Sequence, residues 1–161
     1  MMPESLAVDR DYNLWVLLRQ VGDIIFNARE AELQKYGLPA TQAEVLFVIK
    51  AIGDKVTPAQ ISRMIYRRPH SVSGIIDRMV KAGLVKKTKD LHKKNLVRVT
   101  MTAKGQQAYK QALGRKSVQK IMSSLSESER QKFKSLLETL RNKGLKELGI
   151  DPKKLPPPKF V

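Results

Sequence analysis

The chain has 161 residues, with 31 Lys or Arg against 15 Asp or Glu, a formal charge of +16 and a pI of about 10.2. It has no cysteine, which excludes thiol sensing, disulfide staples and thiolate metal sites. No apolar run reaches the roughly 18 residues of a membrane span, and the N-terminus lacks a signal peptide's regions, so a cytoplasmic protein without a membrane partner is expected.

Residues 1–7 are expected to fray. From about Val8 to Tyr36, Leu14, Leu17, Leu18, Val21, Ile25 and Ala28 follow the helical period, Trp15 and Phe26 broaden the face, and Gly37 is a stop signal. After Pro39, the run Thr41-Gln42-Ala43-Glu44 reads as a capping box opening a helix lined by Val45, Leu46, Val48, Ile49 and Ile52 and ended by Gly53. The same start signal recurs at Thr57-Pro58-Ala59-Gln60, ahead of a short helix with Ile61, Met64 and Ile65 inside. Pro69 opens the next helix. Its wheel gathers Val72, Ile75, Ile76, Met79 and Val80 on one side, and Gly83 with Leu84 closes it.

Val85–Lys89 and Leu96–Thr100 read as two strands joined by a turn at Asp90–Asn95. Thr102 caps a further helix with Ala108, Ala112, Leu113, Ile121, Met122 and Leu125 on its face, interrupted in pattern by Gly114. Ser126-Glu127-Ser128-Glu129 is a third capping box, opening a helix with Phe133, Leu136, Leu137, Leu140 and Leu148. From Ile150 the prolines forbid a continuous helix, and a polyproline-like or disordered tail is expected. The long terminal helices cannot bury their apolar stripes on the small central unit alone. A two-fold dimer would cover them, although a monomeric bundle is the alternative.

Charge is concentrated where the elements are shortest. Residues 54–105 hold 13 Lys or Arg against 3 Asp or Glu, which suggests a polyanion partner. Two helices at an angle followed by a basic β-ribbon can set one helix in a DNA major groove with a basic finger beside it.

The stretch Thr41 to Gly105 resembles the MarR (multiple antibiotic resistance) family of winged-helix regulators. The residues that carry the resemblance are the Thr-Gln-Ala-Glu helix start, Ser73-Gly74-Ile75-Ile76-Asp77-Arg78-Met79, Lys81-Ala82-Gly83-Leu84-Val85, and Val99-Thr100 through Lys104-Gly105. The fold expected is mainly α with a small β-hairpin wing, a winged helix-turn-helix flanked by N- and C-terminal dimerisation helices. That divides the chain into a dimerisation helix (1–37), the DNA-binding unit (38–105), C-terminal dimerisation helices (106–149) and a Pro/Lys-rich tail (150–161). The resemblance implies a homodimer, the helix at 69–82 reading the major groove and the hairpin tip entering the minor groove. Two positions depart from the family: Arg68 stands where a capping Asp, Ser or Thr is usual, and Lys93-Lys94 replaces the usual Asp-Arg of the wing tip. A phosphate would supply the anion that the uncapped helix start lacks.

On this reading His70, Ser71, Ser73 and Gly74 are the base-edge contacts, against the plainer view of a solvated helix face. Arg67, Arg68, Arg78, Lys86, Lys87, Lys93 and Lys94 are candidates for backbone or minor-groove contact, any one of which could be a bystander. Tyr12, Trp15 and Tyr36 could line a small-molecule effector pocket, with core packing as the simpler alternative. His70 and His92 have no carboxylate set beside them, so neither metal nor cofactor is expected. No nucleophile–base arrangement or Gly-rich phosphate loop points to an enzyme. The expected function is a sequence-specific double-stranded DNA-binding transcriptional regulator, most simply a repressor, with relief by a small-molecule effector as the further expectation. The alternative is a non-specific nucleic-acid-binding or nucleoid-associated protein, whose affinity would ignore sequence.

Overall fold

A computed structural model describes residues 8–93 and 95–160; the expectations for residues 1–7 and for Lys94 fall outside them. The first helix, α1 (Arg10–Leu33), begins where the Asp9 carboxylate accepts the Tyr12 N–H at 2.9 Å. It tightens into a 3-10 turn at Gln34–Tyr36 and stops at Gly37, whose φ of 64° is left-handed. The central helix α2 (Ala40–Ile52) is the most buried element, with Val45, Leu46 and Val48 sealed from solvent.

The expected capping box at Thr41 is not formed. Pro39 is the N-cap residue and Thr41 already lies inside the first turn, so its hydroxyl is out of register for capping. The orphan N–H of Ala40 instead donates to the Glu30 carboxylate of α1 at 2.6 Å. By contrast the box at Thr57 forms as its sequence suggests. Gln60 N–H donates to the Thr57 hydroxyl at 3.2 Å and Thr57 N–H to the Gln60 side chain at 2.9 Å, opening α3 (Pro58–Ile65).

Helix α4 (Pro69–Lys81) packs Val72, Ile75, Ile76 and Met79 inward. Val80 was grouped with them by the wheel but is exposed in the helix's last turn. Leu84 makes the closing contact instead. Its N–H donates to the Met79 carbonyl while Gly83 N–H donates to Val80, the two bonds of a Schellman ending with Gly83 at φ 76°. Strands β1 (Val85–Lys89) and β2 (Val97–Met101) form an antiparallel hairpin in which Lys87 faces Val99. The second strand starts one residue later than expected because Leu96 serves the turn: its carbonyl accepts from Asp90 and its N–H donates to Lys93.

The helix expected to run from Thr102 to Leu125 is two. Helix α5 (Ala103–Ala112) ends at an exposed Leu113, and α6 (Lys116–Met122) follows Arg115, which has a left-handed φ of 47°. Glu32 stabilises the break by accepting the Lys116 N–H at 2.6 Å and the Ser117 hydroxyl at 2.8 Å. Helix α7 (Glu127–Glu147) starts in the Ser126–Glu129 box. It touches the rest of the described chain chiefly through the 3-10 turn at Pro152–Lys154 that follows it. Leu136 and Leu140 are 64% and 58% exposed, and Leu14, Trp15, Leu17 and Ile24 of α1 are also exposed. Much of the stripes that periodicity assigned to burial is therefore uncovered within one chain, while Ile25, Ala28, Phe133 and Leu137 are half-buried. No helix among the described residues is long and apolar enough to cross a membrane.

The tail is non-helical from Leu155 to Phe160, as its prolines require, and although exposed beyond Leu155 it is tied to the fold at two points. Arg141 of α7 donates to the carbonyls of Leu155 and Pro156, and the Phe160 ring reaches Phe47 of α2 at a centroid distance of 6.2 Å.

Candidate nucleic-acid interface

Helices α3 and α4 are joined by three residues, Tyr66, Arg67 and Arg68. The turn needs a left-handed residue and uses Tyr66 at φ 51°, at a cost of about 1 kcal/mol for a side chain with a Cβ. Buried Ser62 offsets this by donating its hydroxyl to the Arg67 carbonyl, while Arg67 N–H donates to the Ser62 carbonyl at 3.0 Å. The turn is thus tied to the helix before it, and it aims the start of α4 outward. Arg68 is the N-cap residue and makes no side-chain cap, leaving the first N–H groups of α4 for solvent or an anion.

His70, Ser71 and Ser73 stand exposed on the N-terminal half of α4, opposite the buried stripe, with half-buried Gly74 beside them. A Cβ added to Gly74 would meet only the Arg78 side chain, at 3.5 Å. Nothing in the fold therefore requires glycine there. Arg67, Arg68, Arg78, Lys86, Lys87 and Lys93 are all exposed and lie on the turn, α4 and the hairpin. Two of them have acidic neighbours. Lys87 donates to the Asp77 carboxylate of α4, which holds that carboxyl below its ordinary pKa, and Arg67 lies 4.0 Å from Glu44. His92 is exposed on the hairpin loop, and no three metal-ligating side chains converge among the described residues.

The hairpin is pinned at the mouth of its loop by residues that sequence reasoning passed over. Asp90 accepts the N–H groups of His92 and Lys93 at 2.8 and 3.0 Å, and Arg98 donates to the same carboxylate at 2.9 Å. These bonds, the His92 N–H first and the Arg98 side chain next, hold the Asp90 carboxyl at about 2. Arg98 also donates to the Lys55 carbonyl, and Val99 N–H donates to Val56, so β2 is stitched to the segment ahead of α3. An Asp opening a loop with free N–H groups two and three residues on was a readable signal. The partner arginine was not.

The three aromatics expected around a pocket do not share one. Tyr12 and Trp15 meet at a tilt near the start of α1, with centroids 5.5 Å apart, whereas Tyr36 follows its far end. Twenty-four residues of mostly helical rise separate Tyr12 from Tyr36 by roughly 35 Å. All three are exposed, so they are not core within one chain either. An open cleft of about 320 Å³ lies elsewhere, between α1, α2 and α6, lined by Phe26, Glu44, Phe47, Arg115, Val118 and Phe160. The Arg115 guanidinium lies 4.4 Å from the Phe47 ring centroid. Burial pushes the Glu44 carboxyl above its ordinary pKa, against the pull of Arg67. Glu44 thus stands between the cleft and the turn that leads into α4.

Comparison with known proteins places this geometry. Residues 36–94 match the model of the MarR family. A ligand-free organohalide-sensing transcriptional regulator, RdhR, is 33% identical over 99% of this chain and 96% of its own, with a TM-score of 0.85. A form of that regulator bound to 2,4-dichlorophenol is 34% identical over 89% of this chain and 86% of its own, with a TM-score of 0.80. A MarR variant from E. coli complexed with operator DNA shares the fold at 21% identity, covering 80% of this chain and 93% of its own, with a TM-score of 0.74. No curated protein matches the chain in sequence at a significant level.

Proposed function

The chain belongs to the MarR family of transcriptional regulators, and from that premise we propose that it is a homodimeric, sequence-specific double-stranded DNA-binding repressor relieved by a small aromatic effector. The observation that carries the reading is the exposed start of α4 beside a pinned basic hairpin. His70, Ser71, Ser73 and Gly74 reach base edges in the major groove. Arg67, Arg68, Arg78, Lys86, Lys87 and Lys93, with Lys94 of the wing tip, engage phosphates or the minor groove. Because Lys93 and Lys94 lack arginine's planar fork, the wing adds affinity more than sequence choice. The protein acts by binding rather than by catalysis.

The dimer forms where the exposed stripes of α1 and α7 meet those of a second copy, making residues 1–37 and 106–149 the assembly segments and 38–105 the reading head. Two heads fixed about one helical turn apart suit an operator with two half-sites. An effector in the cleft at Phe47 bears on Glu44, and through Glu44 on Arg67 at the entrance to α4. It favours a dimer whose heads no longer match the operator only if it binds that state more tightly. The dichlorophenol bound by the RdhR relative is the first compound to try.

The test is fluorescence anisotropy on duplexes from the DNA upstream of its own coding region, against scrambled duplexes, with 2,4-dichlorophenol titrated into the complex. The proposal predicts preference for one duplex and release by the phenol. Replacing both Lys93 and Lys94 with Ala should weaken all duplexes alike and flatten the slope of log K against log salt by about one unit per lost contact. Equal affinity for every duplex would establish the non-specific alternative instead.

A further inference from the structure

The chain's own tail forms one wall of that cleft. The tail leaves α7 at Gly149, turns through Pro152–Lys154, and crosses the outer face of α3 beside Ile52, Gln60 and Met64. It ends with Phe160 against Phe47. Phe160 lines two adjoining clefts, one on the α1–α2–α6 side and one beside Tyr66 and Ile65, and Glu44 lines both. The strap is fastened midway by Arg141 of α7, which donates to the carbonyls of Leu155 and Pro156. Prolines at 156, 157 and 158 stiffen the stretch between that fastening and the ring, so little backbone entropy is lost in seating it.

We propose that residues 155–160 are a latch whose Phe160 ring narrows the cleft at Phe47 and is pushed aside when an aromatic effector packs on that ring. This rests on the effector reading above, but the latch itself is independent of which compound acts. Its chemistry defines what can compete: a flat apolar ring that packs on Phe26 and Phe47, carrying an anionic group for Arg115. Unlatching also releases the strap that Arg141 of α7 holds and whose ring rests on Phe47 of α2. Displacement therefore loosens the tie between the reading head and the C-terminal helix as well as filling the cleft.

Trypsin cleavage after Lys154, read by mass spectrometry on the full-length protein, tests the seat. Phe160→Ala and Arg141→Ala are each expected to speed that cut about fivefold, as the loss of a locally stabilising contact does. The aromatic anion anilinonaphthalene sulfonate, followed by fluorescence, tests the occupancy. It should bind Phe160→Ala about threefold or more tighter than the wild type, and in the wild type it should speed the cut. Equal cleavage rates in all three proteins overturn the latch. Faster cleavage in Phe160→Ala with unchanged probe binding also overturns it, because Phe160 would then not restrict the cleft. A failure of every tested effector to release DNA would defeat the effector reading while leaving these rates where they are.

Discussion

Two glycines separate what a residue does for the fold from what it does for a partner. At Gly105, in the first turn of α5, an added Cβ would stand 2.1 Å from the Leu84 carbonyl oxygen and 2.7 Å from the Met101 side chain. The backbone cannot yield there, since the Leu84 carbonyl also accepts Thr102 N–H at 3.0 Å. Gly105→Ala is expected to lower the unfolding free energy by about 1–3 kcal/mol in urea titration, the usual cost of overpacking. Gly74 is the opposite case, with room for a methyl group and an ordinary helical backbone. Gly74→Ala should raise stability by about 0.5–1 kcal/mol while weakening operator binding, because only a close groove approach needs the missing Cβ. Unchanged DNA affinity in that variant would move Gly74 off the contact surface.

The elements were legible in sequence wherever their own residues satisfy their ends. Thr57 with Gln60, Ser126 with Glu129, and Gly83 with Leu84 all cap their helices locally, and each was readable. The misread starts, at α2 and α6, are capped from a distance by Glu30 and Glu32 near the end of α1. A carboxylate acting ten or eighty-four residues away leaves no local signature. The same holds for Arg98 reaching Asp90 and for the cleft, whose rings come from α1, α2 and the tail. Burial pushes the Glu32 pKa up, but the bonds from Arg29, Ser117 and the Lys116 N–H outweigh it and hold the carboxyl at about 2, against an ordinary 4.5. A depressed carboxylate stabilises the fold above its unfolded pKa and loses that contribution as pH falls through its folded value. Stability should therefore be level in this respect down to about pH 4.5 and decline toward pH 2. In Glu32→Gln that acid limb should be shallower; an unaltered limb would mean that the Glu32 bonds joining α1 to α6 add nothing.

At the scale of the molecule, the exposed stripes on α1 and α7 and the exposed start of α4 are two halves of one design. The first calls for a second copy, and the second gives that copy something to read in a fixed spacing. Leu136→Lys combined with Leu140→Lys puts charge into the proposed seam and should yield monomers by sedimentation, with operator affinity falling with dimerisation. A dimer of unchanged strength would place the interface elsewhere. Periodicity identified these stripes correctly as apolar faces, yet it could not say whether the cover comes from the same chain or another. That choice depends on how far α7 stands from the core, which no window of sequence reports. The claim that the paired α4 helices read sequence is tested most directly by footprinting the DNA upstream of the protein's own coding region. The account predicts a discrete, roughly two-fold-symmetric protected site with two half-sites about one helical turn apart. Diffuse protection that rises evenly with protein concentration across the fragment would contradict it.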